Sequence, residues 1–226
     1  MVLAGHLVMS PNDLSENPFD ELFSAYDAWF EGEGKLTFSI EAQAIEQLLP
    51  ELPEPRLEIG VGSGRFAQAL GIGLGLDPSV KLLEIAQSRG VSTFLGEGER
   101  APFADGSFSS VFLIVTLCFV NSPLAVLSEA YRVLTDNGKV LVGMVLRDSP
   151  WGRYYSQKAA EGHRFYRHAR FYSYDEVVKF LEQSGFEIKE VVSTLFQVPG
   201  EVSQMESPRS GYSPDAGFTV IMAGKS

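Results

Sequence analysis

At 226 residues, with 45% hydrophobic and 21% charged side chains, the chain has the size and composition of one globular domain with a substantial core, not of a disordered segment. Its net charge of −11, from 18 basic and 29 acidic side chains, argues against binding along a phosphate backbone, which needs a clustered basic surface. A single cysteine, Cys118, and three histidines, His6, His163 and His168, leave no disulfide framework and no zinc constellation, so no metal is expected.

The first residues carry no basic stretch ahead of an apolar one, and no run approaches the ~20 apolar residues of a membrane span. The expectation is a cytoplasmic protein without membrane contact. Residues 17–30 place Phe19, Leu22, Phe23, Tyr26, Trp29 and Phe30 at helical spacing, and Gly32 and Gly34 end that pattern. A second helical pattern covers 40–49 and stops at Pro50. From there strands and helices alternate: strand 56–60, helix 65–70, strand 73–77, helix 80–88, strand 91–95. The uninterrupted apolar run within 110–119 reads as a central strand buried on both faces. Helix 123–134 follows, then a turn at Asp136-Asn137-Gly138 and strand 139–146. This alternation predicts an α/β fold: a Rossmann-like, doubly wound, mostly parallel seven-stranded sheet with helices on both faces.

After Arg147 the pattern changes. Residues 150–170 are rich in aromatic and histidine side chains and show no clean period. Their basic part, Arg164 to Arg170, reads as a solvated helix face or a contact for an anionic substrate. Ser173 suits the N-cap of a helix over 174–184 that Gly185 stops. Strands 187–198 and 217–223, separated by a Pro/Gly/Ser-rich loop over 199–216, predict an antiparallel addition at one sheet edge. The division expected is one domain over 1–226: an N-terminal helical cap (1–54), a cofactor-binding core (55–146), and a lid, helix and strand pair (147–226).

The chemistry sits in Leu57-Glu58-Ile59-Gly60-Val61-Gly62-Ser63-Gly64-Arg65-Phe66, a strand running through a glycine-rich turn into a helix. Glycines at 60, 62 and 64 permit positive φ and let a ligand lie on the backbone. A dinucleotide fingerprint needs a further glycine where Arg65 stands, and no Gly-Lys-Ser/Thr follows to make a P-loop. Glu58, aimed into the turn, would repel a pyrophosphate but suits a ligand bearing ammonium and sulfonium groups; alternatively it is a buried acid tying the turn together. Asp77 closes the second strand, where a carboxylate can accept both hydroxyls of a ribose, or else simply form an Asp-Pro turn.

Together with Gly96-Glu97-Gly98-Glu99, the following Ala101 to Phe108, and Glu129-Ala130-Tyr131-Arg132-Val133-Leu134, these motifs resemble the class I S-adenosylmethionine-dependent methyltransferases, in particular their Methyltransf_11-type small-molecule branch. The resemblance is close over about 55–146 and looser over 171–186. It implies that S-adenosylmethionine is the cofactor and S-adenosylhomocysteine the product. Gly60, Gly62 and Gly64 would underlie the methionine part and Glu58 would order its ammonium end. Asp77, with Pro78 beside it, would hold the ribose. Glu97 and Gly98 would meet the adenine, and Thr116 and Leu117 would line the sulfonium side. Glu97 and Gly98 stand where Asp and Ala are usual, and Ser109 replaces a common Asp.

Methyl transfer from a sulfonium is an in-line displacement that alignment and water exclusion can drive, so no acid–base triad is required. No catalytic residue is assigned, with His163 and His168 as the imidazole candidates for a base. Tyr26, Trp29, Phe119, Trp151, Tyr154, Tyr155, Tyr166 and Phe171 predict an enclosed pocket for a small-molecule acceptor. Tyr26 and Trp29 could shield a sulfonium by cation–π contact. Cys118 reads as a small buried hydrophobe. The nucleophilic atom stays open among N, O and S, and the assembly between monomer and homodimer. Three other readings remain: a nicotinamide-dependent oxidoreductase, against which Arg65 speaks; a non-catalytic S-adenosylmethionine-binding regulatory module; and RNA or protein methylation, against which the net charge of −11 and the aromatic lid speak.

Overall fold

Successive residues of one strand go to opposite faces of a sheet, so an unbroken apolar run needs cover on both sides. Val111 and Leu113 join one apolar cluster, and Phe112 and Ile114 join the other. The computed structural model describes residues 27–225. In it, that run is β4 (Phe108–Ile114), at the middle of a sheet with β1 (Arg56–Ile59), β2 (Leu74–Asp77), β3 (Ser92–Leu95), β5 (Leu134–Met144), β6 (Phe186–Thr194), β7 (Arg209–Ser210) and β8 (Phe218–Lys225). The strand order is β3-β2-β1-β4-β5-β8-β6-β7. The first five strands are parallel; β8 runs antiparallel between β5 and β6, and β7 pairs antiparallel with β6.

Helices cover both faces. Helices α1 (Lys35–Glu46), α2 (Arg65–Leu70), α3 (Val80–Ser88) and α5 (Pro150–Ala160) bury Ile40, Phe66, Leu83 and Trp151 against Phe112 and Phe218. On the other face α4 (Pro123–Val133) and α6 (Tyr174–Gln183) bury Leu127 and Leu181 against Leu113 and Ile221. Serine starts four of these helices: Ser79, Ser122, Ser149 and Ser173 each accept an amide of the first turn, and Ser173 with Glu176 completes a capping box. The chain leaves β1 outward to β2 and β3, then returns to β4 on the other side of β1. The gap between the carboxyl ends of β1 and β4 is therefore the topological switch point, where open α/β sheets bind ligands.

Several expectations shift. Most of helix 17–30, Tyr26 included, lies outside the described residues, which begin in its last turn. Helix α1 starts at Lys35, earlier than its apolar period suggested. Strand β4 ends at Ile114, not at 119, because Val115 takes a φ of 54°, a conformation a β-branched residue adopts only under constraint. The Asp136-Asn137-Gly138 turn is instead an irregularity within β5, where the register jumps from Phe108–Leu134 to Ser110–Lys139. Strand β6 stops at Thr194, before Leu195 with φ 62°. The segment 150–170 contains a full helix, α5, and the loop 199–216 supplies β7, so the sheet has eight strands and not seven.

Candidate active site

The glycine turn leaves β1 with Gly60, Gly62 and Gly64 at φ of 77°, 52° and 77°. Its amides are tied to the neighbouring strand: Gly60 and Val61 donate to the Leu76 carbonyl at 2.7 and 3.1 Å, and Gly62 donates to Asp77 Oδ2 at 2.9 Å. The other Asp77 oxygen accepts from the Ser79 amide at 2.9 Å. Asp77 thus makes the Asp-Pro turn and also sets the glycine loop. The glycines are sterically required as well. A Cβ on Gly60 would lie 2.5 Å from the Thr116 Oγ1 and Cγ2, and one on Gly64 would lie 2.9 Å from Ala86 Cβ. Thr116 is held there by donating to the carbonyls of Ile59 and Ile114 at 3.0 and 3.1 Å. The turn at Val115 places Thr116 on Gly60, which is what its strained φ accomplishes.

Glu58 is buried at the foot of this turn, and its Oε2 has no hydrogen-bond partner. Burial, reinforced by the Asp77 charge, pushes its pKa well above the usual carboxylate range, against the pull of the Ala67 amide. A buried carboxyl with an unused oxygen is costly unless something positive reaches it. Further along the same edge, Gly98 packs closely on Ile59, and Glu97 is exposed beside it. This loop is fastened from behind. Glu99 accepts the Asn121 and Ser122 amides, Glu129 accepts the Ala101 amide, and Arg132 donates to the carbonyls of Ala101 and Phe103. Glu129 and Arg132, on α4, therefore shape the loop that carries Glu97 and Gly98. Pro78 is half-buried and Leu117 buried at the same carboxyl edge.

Two residues that sequence reasoning missed lock the N-terminal segment onto this site. The Asp27 carboxylate pairs with Arg65 at 2.9 Å and with Arg89 at 2.8 Å, and Arg65 also pairs with Glu31. Although burial works against its charge, the hydrogen bonds from Arg65 and Arg89 hold Asp27 well below the usual carboxylate range. Arg89 donates in addition to the Ser63 carbonyl inside the glycine turn. Arg65, noted in the sequence only for not being glycine, is the anchor of this latch.

The aromatic candidates divide. Trp151 is buried, donates from Nε1 to the Gln197 carbonyl at 2.9 Å and lies flush on Gly217, so it fastens the 195–217 segment. Trp29 is half-buried with its indole against Gly34 and the Phe30 ring. Tyr155 is the hub: it stacks on Tyr166 at 4.2 Å and on Phe171 at 6.4 Å, with Tyr154 and Trp151 at 5.5 and 5.7 Å. These rings share one apolar cluster with Val115 and Val145, at the carboxyl ends of β4 and β5. Phe119 is half-buried just beyond. His163 stacks on Tyr166 at 4.6 Å, and desolvation with Lys158 and Arg164 lowers its pKa, whereas His168 is exposed and accepts from Arg167. Only His163 of the two therefore joins the cluster. Burial pushes the Cys118 thiol up to about 12, which leaves it an inert hydrophobe. The sequence reading also passed over Glu41, buried on α1. Its signal was available: an acid at the inward stripe formed by Thr37, Ile40, Ala44 and Ile45.

Residues 57–142 match the methyltransferase domain family. An uncharacterized protein of Mycobacterium tuberculosis is 41% identical over 202 residues, covering 88% of this chain and 71% of its own length. An uncharacterized protein of Methanocaldococcus jannaschii is 35% identical over 209 residues, covering 92% and 99%. A solved structure of an S-adenosylmethionine-dependent methyltransferase from Thermotoga maritima, described as a possible histamine N-methyltransferase, superposes with a TM-score of 0.86 at 40% identity, covering 92% of this chain and 99% of that one. The chain belongs to the class I S-adenosylmethionine-dependent methyltransferases.

Its cofactor is accordingly S-adenosylmethionine, and the residues present fit that group. The unused Glu58 oxygen suits the amino end of a cationic ligand, and Gly60 and Gly64 leave no room for a Cβ against Thr116 and Ala86, which keeps the turn's backbone in place. Among the described residues of this methyltransferase, no helix is long and apolar enough to cross a membrane, and no group of His, Cys, Asp and Glu could hold a metal ion.

Proposed function

We propose that this methyltransferase transfers the methyl group to a small-molecule acceptor bound in the aromatic chamber at the carboxyl ends of β4 and β5. The observation that carries this reading is the aromatic cluster beside the glycine turn: the Tyr155 stack shares one apolar cluster with Val145 and with Val115, the residue before the Thr116–Gly60 contact. S-adenosylmethionine supplies an electrophilic methyl on a sulfonium, a leaving group that needs no proton. The protein's part is then to bind, orient and exclude water. Gly60, Gly62 and Gly64 carry the methionine portion with Glu58 at its amino group, Asp77 and Pro78 border the ribose, Glu97 and Gly98 the adenine, and Thr116 and Leu117 the sulfonium side. The Asp27 latch closes the N-terminal segment, with Trp29, over the donor. The description of the Thermotoga maritima protein supports a small acceptor of this kind.

The test is transfer of radiolabelled methyl from S-adenosylmethionine into fractions of a cell extract. Label is expected in the low-molecular-mass fraction. Label confined to protein or RNA would contradict the reading.

A further inference from the structure

The basic stretch Arg164 to Arg170 is not the face of a helix. After α5 ends at Ala160, only Tyr166–His168 forms a single 3-10 turn. Backbone hydrogen bonds knit the rest: the His163 amide donates to the Lys158 carbonyl and the Arg167 amide to the His163 carbonyl, both at 3.0 Å. The Arg170 amide donates to the Cys118 carbonyl at 2.7 Å, which pins the segment just past Thr116 and Leu117, beyond the carboxyl end of β4. This path sorts the side chains. Tyr166 and Phe171 stack inward on Tyr155, at 4.2 and 6.4 Å, while Arg164, Arg167 and Arg170, interspersed with them along the chain, are exposed.

The charge placed here is opposite to that of the remaining chain. Residues 150–170 hold five of the 18 basic side chains and one of the 29 acidic ones, leaving 13 basic against 28 acidic elsewhere. That acid, Glu161, accepts from Gln157. Among the described residues none of the five cations (Arg153, Lys158, Arg164, Arg167 and Arg170) pairs with a carboxylate, whereas Arg65, Arg89, Arg132 and Arg147 all do. Three of them rest on ring faces instead: Lys158 over Tyr154 at 5.5 Å, Arg164 over Phe165 at 5.4 Å and Arg170 over Tyr172 at 5.3 Å. Such contacts lay the side chains along apolar surface without using their hydrogen-bond donors.

Resting on the small-molecule reading above, we propose that the acceptor carries an anionic group, a carboxylate or a phosphate, which Arg164, Arg167 and Arg170 receive beside the aromatic cluster. Guanidinium groups meet both anions with paired N–H donors. Unpaired cations next to apolar rings draw in an anion by charge, and the rings then hold its apolar part. Elsewhere on the chain the same anion faces net negative charge, and a cationic acceptor is repelled at this segment. The anion serves recognition and takes no part in the displacement.

The experiment is calorimetric titration, at low salt, of the preformed S-adenosylhomocysteine complex with phenyl phosphate, phenylacetate, phenethyl alcohol and phenethylamine. At least one anion is expected to bind roughly tenfold tighter than the alcohol, a difference of ~1.4 kcal/mol, with the amine weakest; which anion leads tells phosphate from carboxylate. The preference should shrink as salt is raised, because these cations are exposed. Arg164→Gln combined with Arg167→Gln should bring the anions to the level of the alcohol while leaving affinity for S-adenosylhomocysteine unchanged, which also reports an intact fold. Lys179→Gln, which removes an exposed charge from α6, should leave the preference as it was. Anions bound no better than the alcohol, no anion binding at all, or a preference that survives loss of both arginines would each overturn the proposal. So would a leading anion bound no tighter than inorganic phosphate or acetate, which lack the ring. Failure of the wild type to bind S-adenosylhomocysteine would instead overturn the cofactor reading, and methyl label confined to protein or RNA the small-molecule reading on which the proposal rests.

Discussion

The two halves of the site are built by different means. Around the glycine turn, Gly60, Gly62, Thr116 and Asp77 are fixed by hydrogen bonds, and Gly60 and Gly64 by contacts too close for a Cβ. On the proposed acceptor side, Tyr155, Tyr166 and Phe171 come from α5 and the segment after it and meet through ring stacking and burial. Backbone geometry tolerates almost no substitution, whereas stacked side chains can be exchanged while the shell persists. In the proposed function the first half holds the cofactor and the second sets what is methylated.

Four changes probe that contrast, in order of decreasing effect. The largest is pH acting on the buried acids. Burial pushes the Glu41 carboxyl up to about 8 from its ordinary value of 4.5. Between these values the folded state retains a proton that the unfolded state releases, so stability falls as pH rises from 5 to 8. One such carboxyl contributes up to ~5 kcal/mol, at ~1.4 kcal/mol for each tenfold difference in proton affinity between the two states. Tyr155 and Tyr166, the groups facing Glu41, stay neutral throughout because burial raises both. Denaturant melts across that range should show the decline, and Glu41→Gln should remove much of it, leaving the part that belongs to Glu58, also raised by burial.

Next, Gly60→Ala puts a methyl group 2.5 Å from Thr116 at a positive φ. A loss of about 2–4 kcal/mol in stability is expected, and S-adenosylhomocysteine binding should fall by roughly a hundredfold. Calorimetry that finds the cradle tolerant would remove the distinction between the halves. Third, Asp27→Ala leaves Arg65 and Arg89 without their shared partner and should cost about 1–3 kcal/mol. Proteolysis should then nick the N-terminal segment faster. Smallest is Tyr154→Phe, which removes a hydroxyl at the rim of the stack and should shift thermal stability by less than about 0.5 kcal/mol.

The same contrast explains what could be read in advance. The glycine turn and its ties were legible because Glu58 to Gly64 lie in one short stretch and Asp77, which takes the Gly62 amide, closes the next strand, so spacing carries the turn's shape. Arg65 showed what the site is not, but its partner Asp27 lies 38 residues upstream and leaves no spacing signal. Glu41 was passed over for another reason: hydrophobic periodicity registers apolar residues, so an acid sharing the buried stripe with Ile40 and Ala44 draws no attention although its spacing is there. Helix α5 was missed because its aromatic residues are distributed around the hub at Tyr155, although Ser149-Pro150 marked its start. The end of β4 was misplaced since nothing in an apolar sequence foretells that Val115 will take a positive φ.

In the proposed function, Asp77 and the glycine turn hold a sulfonium-bearing nucleoside. The most direct test is titration of S-adenosylhomocysteine, and separately NADH, into the wild type and Asp77→Ala. Micromolar binding of S-adenosylhomocysteine, weakened at least tenfold or ~1.4 kcal/mol by the substitution, with no heat from NADH, is the expected result. Heat from NADH alone, or S-adenosylhomocysteine binding that Asp77→Ala leaves unchanged, would contradict it.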